Sequence, residues 1–387
     1  MPRLGELIAA LEEWFDPRLA ESWDAIGLVC GDRDESVDRV VLAVDAVPDT
    51  VTEAVDGSAQ LLLTHHPLLL SGVHGVPADD QKGRLVHRMI RAGVAHYVAH
   101  TNADVARPGV SDALADRLGI IDLEPVRPTV RTALDKLVVF VPQDGAQVLI
   151  DALALAGAGR LGDYERCAWT TVGTGTFRPL SGAQPAIGAV GSIEQVPEAR
   201  VEMVVPASVR AAVLAALRAV HPYEEPAFDL LPTVALPDGQ GSGRVGRLPA
   251  PMSLADFVRH AAAVLPATVW GVRAAGDPGR TVRTVAVCGG SGGSLAESAS
   301  RAGADAFVTA DLKHHATVEA VTERGAAGMA LVDAGHWATE APWLDAAAGA
   351  LRDRFGTTVD FRVSRQVTDP WTLHVPSLTS RSEVASS

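Results

Sequence analysis

Apolar positions along this chain fall into two periodicities that alternate. Leu4, Leu7, Ile8, Leu11 and Phe15 recur at helical spacing, which predicts a helix over residues 4–15. Val40–Val44 is a short apolar run ending in Asp45, and Pro48–Val55 reads as a helix. Leu61-Leu62-Leu63 predicts a buried strand that stops at Thr64-His65-His66-Pro67. Residues 82–91 read as a helix, and Val94–Ala99 as a second buried strand ending at His100. A helix over Ser111–Leu118 follows, with Ser111 as its candidate N-cap. Strands that are apolar throughout, alternating with helices, predict a largely parallel sheet covered on both faces.

The texture changes near residue 127. Leu137–Val141 reads as a strand, Ala146–Ala156 as a helix, Gly173–Ser181 as a Gly/Thr-rich loop, Arg200–Val205 as a strand and Ala207–Val220 as a helix. This β-α-β-β-α-β pattern predicts a small α+β domain of ferredoxin-like type. Pro237–Gly243 reads as an exposed boundary loop. From Leu254 the first texture returns: a helix over Leu254–Leu265, strands at Thr281–Cys288, Ala306–Thr309 and Met329–Asp333, and a helix over Trp343–Phe355. The Ser-rich end, from about Pro376 to Ser387, reads as a disordered tail.

The two outer segments echo each other. In Val94–Asp104 and in Met329–Glu340 a short apolar strand leads to a histidine with a carboxylate four positions later. Leu61–Thr64 before His65-His66 resembles Ala306–Thr309 before His314-His315. The expected architecture is therefore α/β: two pseudo-repeated halves, residues 1–126 and 251–368, form one core, residues 127–250 are inserted, and 369–387 are a flexible tail.

Charge and cysteine content narrow the function classes. The 33 basic and 47 acidic residues give a formal charge of −14. Without a Lys/Arg cluster, this argues against nucleic acid as a partner, since phosphate neutralisation supplies much of such affinity. Cys30, Cys167 and Cys288 are far apart and odd in number, so they read as small buried apolar residues rather than a disulfide framework or a thiolate zinc site. The first residues carry no signal-peptide core and no apolar run reaches membrane-spanning length. The expectation is a cytoplasmic protein without a membrane partner.

The chemistry sits at strand ends, where ligands bind in open α/β sheets. His65-His66-Pro67 reads equally as a metal-binding pair or as a solvated pair in a loop. Neighbouring side chains diverge, so these two histidines are expected to serve different ions, with Pro67 stiffening the turn. His336 and Glu340, spaced i, i+4, share one face of a helix that starts at His336. His100 and Asp104 have the same spacing. Each pair alone could equally be an ordinary surface pair. Together, His65, His66, Asp104, His336 and Glu340 suit two divalent ions with Glu340 able to bridge, and zinc, iron and manganese all accept such donors. His100 reads as an acid–base group behind these ligands or, equally, as a hydrogen-bonded structural histidine. Gly289-Gly290-Ser291-Gly292-Gly293 follows a strand and resembles a phosphate-binding loop but lacks its spacing, and reads as a tight turn first and as an anion site second.

At these residues the sequence resembles the NIF-three-like family of dinuclear-metal proteins, the GTP cyclohydrolase 1 type 2 homologues. The resemblance is carried by Trp23-Asp24-Ala25-Ile26-Gly27-Leu28, Leu63-Thr64-His65-His66-Pro67-Leu68, His100-Thr101-Asn102-Ala103-Asp104 and Gly335-His336-Trp337-Ala338-Thr339-Glu340. It implies two metals on His65, His66, Asp104, His336 and Glu340, with Glu340 bridging. Gly175-Thr176-Phe177-Arg178-Pro179 and His221-Pro222-Tyr223-Glu224-Glu225-Pro226 are similar to signatures of an inserted domain of PII/CutA type. The resemblance further implies a homohexameric ring. Ala25, Ala103 and Ala310 depart from the family's usual residues, and none is a ligand position. The expected function is a metal-dependent hydrolase acting on a small anionic substrate, a nucleotide or phosphoester, with His100 as a catalytic group. The alternative is a non-enzymatic metal-binding regulatory or scaffold protein.

Overall fold

A computed structural model of the chain describes residues 1–130, 134–234, 237–322 and 328–375. The chain divides into two compact units, Met1–Thr129 with Gly239–Ser387, and Val130–Asp238. In chain order the first unit begins with α1 (Leu4–Trp14), β1 (Gly27–Cys30), β2 (Arg39–Ala43), α2 (Pro48–Asp56), β3 (Leu61–Thr64) and α3 (Gln81–Arg91). It continues with β4 (Ala95–Val98), α4 (Thr101–Val105), α5 (Val110–Arg117) and β5 (Ile121–Val130). The second unit holds β6 (Leu134–Pro142), α6 (Ala146–Leu155), β7 (Ala168–Phe177), β8 (Glu194–Pro206), α7 (Arg210–Val220) and β9 (Phe228–Pro232). The chain returns to the first unit through β10 (Pro237–Ser253), α8 (Leu254–Val264), β11 (Arg273–Ala275), β12 (Thr281–Val287) and α9 (Ala296–Arg301). Then come β13 (Ala306–Thr309), α10 (His314–Thr322), β14 (Ala330–Asp333), α11 (His336–Phe355) and β15 (Asp360–Val363).

The first unit is built on two sheets. One has the order β1-β4-β3-β2-β15, in which β4, β3, β2 and β15 run parallel and β1 is an antiparallel edge. The other has the order β11-β14-β13-β12-β10-β5. Its β14, β13 and β12 run parallel, flanked by antiparallel β11 and β10. The parallel centre matches the continuous apolar runs in the sequence. Val40, Leu42, Leu61, Leu63 and Tyr97 pack on one face with Trp343 and Leu344 of α11. Val41, Ala43 and Leu62 pack on the other with Val51, Leu85 and Met89 of α2 and α3. The second sheet divides likewise, with Val285, Val308 and Val332 facing Phe257 of α8 and Ala286, Phe307 and Leu331 on the opposite face. A fully buried aliphatic side chain of this kind contributes about 1.5–3 kcal/mol.

Arg244 of β10 is fully buried. It donates to the Ala106, Gly241 and Gly243 carbonyls at 2.6, 2.6 and 2.8 Å, and pairs with Asp112 at 2.8 Å. This saturated cation ties β10 to α5, and removing one partner would leave a buried charge uncompensated.

In the second unit the elements follow one another as β-α-β-β-α-β, in a wholly antiparallel sheet of order β7-β8-β6-β9. Leu137, Val139, Val201, Met203 and Val205 of the sheet pack on Leu149, Leu153, Val213 and Leu217 of α6 and α7.

Several sequence expectations give way here. The Gly/Thr-rich stretch expected as a loop lies largely in β7, whose ten residues Ala168–Phe177 pair in unbroken register with β8. Pro237–Gly243 is not a loop but the start of β10, which pairs with β12 as far as Ser253. A domain boundary at 250 would therefore cut this strand. Ser111 is not an N-cap; it is buried inside α5, which is capped by Gly109, whose N–H donates to Asp112 at 2.8 Å. Of the three cysteines only Cys288 is buried, and Cys30 and Cys167 are half-buried. The expected tail from Pro376 lies outside the described residues. No described helix is long and apolar enough to cross a membrane.

Candidate metal centre

The carboxyl ends of β3, β4 and β14 converge in the first unit. His65 and His66 follow β3, His100 caps α4 after β4, and His336 opens α11 after β14 and Gly335. Gly335 has φ of 79°, a left-handed conformation that lets the chain turn from strand into helix without a Cβ penalty. Helical spacing then brings Glu340 under His336, with Nε2 and Oε1 3.0 Å apart.

Each imidazole is held from behind through Nδ1. His65 Nδ1 meets the Ala99 carbonyl at 2.9 Å, and His66 Nδ1 meets Asp45 at 2.7 Å. His336 Nδ1 meets Asp311 at 2.6 Å, and His100 Nδ1 meets Asp24 at 2.7 Å. All four partners are acceptors, so the proton belongs on Nδ1 and the Nε2 lone pair is free to face inward. Outer carboxylates and carbonyls of this kind orient histidines at metal sites.

The inward atoms crowd around Glu340. His66 Nε2 is 3.1 Å from Oε2, and His65 Nε2 is 3.5 Å from Oε1 and 3.7 Å from Asp104 Oδ1. His66 and His336 bring their Nε2 atoms within 3.3 Å. Ligands about 2 Å from a shared ion in a tetrahedron are roughly 3.3 Å apart, which is the spacing seen. His65 Nε2, Asp104 Oδ1 and Glu340 Oε2 are buried without a hydrogen bond of acceptable geometry. Orphaned buried polar atoms are costly in a folded protein. Bound cations would satisfy such atoms, and the donor set of imidazoles and carboxylates fits them.

Two candidate groups emerge among the described residues, His65 with His66 and His100, and His66 with His336 and Glu340. His65 and His66 do not diverge as expected. Their ring centroids are 5.1 Å apart, because the chain turns sharply after β3, where the Thr64 hydroxyl donates to the His66 carbonyl at 2.9 Å. His100 lies closer to the cluster than a purely outer role requires. His314 and His315, the echo of His65-His66, are exposed on α10 and belong to neither group.

The Gly-rich turn after β12 serves the cluster. A Cβ on Gly290 would lie 2.3 Å from Glu340 Oε1 and 3.0 Å from His336 Nε2, and its φ is +61°. Glycine there leaves the space that the carboxylate occupies.

Burial and close opposite charges set the electrostatics of the cluster. Burial disfavours charge on His66, but Glu340 and Asp45 push its pKa up to about 11. The same opposition, settled by Glu340 and Asp311, leaves His336 at about 9. Burial would raise Glu340, yet His66 and His65 hold it well below the carboxylate range. Burial raises Asp104. Asp24 is lowered despite its burial by hydrogen bonds from His100 and Thr101. Sequence spacing did not reveal the partners Asp24 and Asp45, although Asp24 lies in the Trp23-Asp24 motif and Asp45 follows β2, the strand beside β3.

A cavity of about 480 Å³ opens beside His66 and His336 and is lined by Trp270, Arg273, Asp369 and Trp371. The Arg273 guanidinium lies 4.5 Å over the Trp270 ring and pairs with Asp333 at 2.8 Å.

Residues 2–370 match the Duf34/NIF3 (NGG1p interacting factor 3) family. The chain belongs to that family. A relative from Mycobacterium tuberculosis, named GTP cyclohydrolase 1 type 2 homolog, is 51% identical over 372 residues, 96% of this chain and 97% of that one. One of the same name from Bacillus subtilis is 39% identical, covering 86% of this chain and 88% of its own. Among solved structures, a Bacillus cereus protein related to NIF3 superposes with a TM-score of 0.68 at 34% identity, covering 96% of this chain and 99% of its own. Staphylococcus aureus protein SA1388 superposes with a TM-score of 0.78 at 26% identity, covering 96% and 99%.

Proposed function

We propose that this protein is a dinuclear metal-dependent hydrolase acting on a nucleotide or another phosphoester. One ion would sit among His65, Asp104 and Glu340, the other among His66, His336 and Glu340, with Glu340 bridging. The observation that carries this reading is the common aim of the imidazoles. Each is held at Nδ1 by an acceptor, and three buried atoms inside the ring they form lack partners. Zinc, iron or manganese suits such donors. Divalent ions held there would supply Lewis-acid chemistry to the site.

The chain's own residues add the rest. Asp24 fixes the His100 tautomer, leaving Nε2 to take and return a proton, as a histidine oriented by a carboxylate does. The adjoining cavity falls in the size range of small-molecule sites. Arg273, paired with Asp333, gives it one cation and the tryptophans give it aromatic faces, alongside Asp45, Asp311 and Asp369. The relatives' name, GTP cyclohydrolase 1 type 2 homolog, supports a nucleotide as the class to try first.

The proposal extends to the assembly. The second unit reads as an inserted ferredoxin-like domain of PII/CutA type, supported by its β-α-β-β-α-β order and the strand order β7-β8-β6-β9. A cytoplasmic homohexamer accords with the family resemblance and with Trp169 and Val172, exposed on the edge strand β7. The test is turnover of a nucleotide and phosphoester panel by protein loaded with each metal. A hydrolysed substrate, with activity lost in Glu340→Gln, supports the reading. Full metal loading without turnover of any panel member would favour a regulatory or scaffold role.

A further inference from the structure

We propose that the second unit carries its own small-molecule site, separate from the metal centre, that takes an organic cation: an amine with an apolar body. The site is a cavity of about 580 Å³ where the turn after β7 meets the turn after α7. Two sequence motifs build it, Gly175–Pro179 and His221–Pro226, which lie more than forty residues apart yet share its walls.

The second motif is pinned from below. His221 is buried, its Nε2 meets the Phe140 carbonyl at 2.8 Å, and its Nδ1 accepts from the Tyr223 N–H at 3.1 Å. That pair of bonds requires the neutral tautomer with its proton on Nε2. Tyr223 is thereby aimed at the first motif, with its ring centroid 5.6 Å from that of Phe177. The two rings form an aromatic wall.

Carboxylates line the same space. The Tyr223 hydroxyl donates to Glu198 Oε1 at 2.9 Å, which leaves Oε2 with lone pairs to offer. Gly175 makes room for that group, since a Cβ there would lie 2.0 Å from Glu198 Oε2. Glu224 is fixed at the mouth by the Gln184 N–H at 2.9 Å, and Glu225 lies beside it. Against these three acids the lining holds one base, Arg178. Aromatic faces attract cations through their quadrupole, and carboxylates add charge-assisted hydrogen bonds to an ammonium. Charge complementarity thus selects a cation, and the aromatic wall selects an apolar body behind it.

The experiment is calorimetric titration of the full-length protein with three probes of similar body: phenethylammonium, 3-phenylpropionate and benzyl alcohol. Phenethylammonium is expected to bind saturably and at least tenfold more tightly than either other probe. Glu198→Gln and, separately, the exposed Glu225→Gln should each weaken it severalfold, while Glu340→Gln leaves it unchanged. Equal or tighter binding of 3-phenylpropionate would overturn the proposal in favour of an anion site at Arg178. Failure of every probe to saturate at millimolar concentration would also overturn it, as would loss of amine binding in Glu340→Gln.

Discussion

The two sheets of the first unit have the same plan and different chemistry. In each, three parallel strands stand in one order, β4-β3-β2 in the first and β14-β13-β12 in the second, with an antiparallel edge strand, β1 or β11, outside the first of them. Thr64 and Thr309 end equivalent strands. Beyond Thr64 the chain turns at once into His65 and His66. Beyond Thr309 it runs through Asp311, which reaches His336, and its own histidines fall on an exposed helix. After β4 stands His100 with Asp104, and after β14 stands His336 with Glu340. A repeated scaffold thus supplies positions, and the few residues after each strand decide which side chain faces the cluster and which supports it from behind.

The largest effect expected is on the pH dependence of metal uptake. His66 and His336 have pKa values raised to about 11 and about 9 in the metal-free cluster, so at neutral pH both rings carry an extra proton that an ion must displace. Affinity should rise with pH up to those values, by as much as about tenfold per unit for each proton released. Calorimetry in buffers of different ionisation enthalpy measures this release. Affinity independent of pH between 6 and 9 would contradict it.

A second contrast lies inside the sheets. His96 of β4 is buried and bonded to Thr64 at 2.8 Å, and burial lowers its pKa to about 4. The equivalent position in β14 is Leu331. The folded value lies below the unfolded one, so neutral His96 stabilises the fold above about pH 6.5. That contribution, about 3 kcal/mol at most, is lost as pH falls towards 4. His96→Leu should flatten the stability–pH curve of metal-free protein in that window, measured by denaturant unfolding. An unchanged slope would show that other groups govern acid sensitivity.

The outer partners sharpen the comparison further. Asp45→Asn and Asp311→Asn should each weaken the ion held by His66 and His336 by roughly 10–100-fold. His314→Ala and His315→Ala, the echo positions, should leave metal affinity untouched. A smaller effect is expected from Gly290→Ala, whose strained φ costs about 1–2 kcal/mol and whose methyl group displaces Glu340. Thermal unfolding with and without metal separates the two contributions.

Much of this was legible in the sequence because it is local. The apolar runs at Leu61–Leu63 and Ala306–Thr309 lie where strands form, and the i, i+4 spacing of His336 and Glu340 survives as a contact. What escaped depends on distant partners. β7 is polar and Gly-rich and is a strand because β8 pairs with it. The glycines of β10 read as a loop signal, but a Cβ on Gly246 would lie 2.4 Å from the Ile121 carbonyl, so glycine there permits close approach of strands. No spacing rule links Asp45 to His66 or Asp24 to His100, which are 21 and 76 residues apart. The convergence of His65 and His66 depends on a turn whose geometry neighbouring residue types do not reveal.

The most direct test is metal stoichiometry by elemental analysis of protein prepared without chelators, measured for the natural sequence, Glu340→Gln and His100→Asn in parallel. Two equivalents per chain are expected in the natural sequence, at least one is lost in Glu340→Gln, and both are kept in His100→Asn. Saturation at one equivalent would contradict a dinuclear centre. Retention of two ions in Glu340→Gln with loss of one in His100→Asn would move the shared ligand from Glu340 to the His100–Asp104 side.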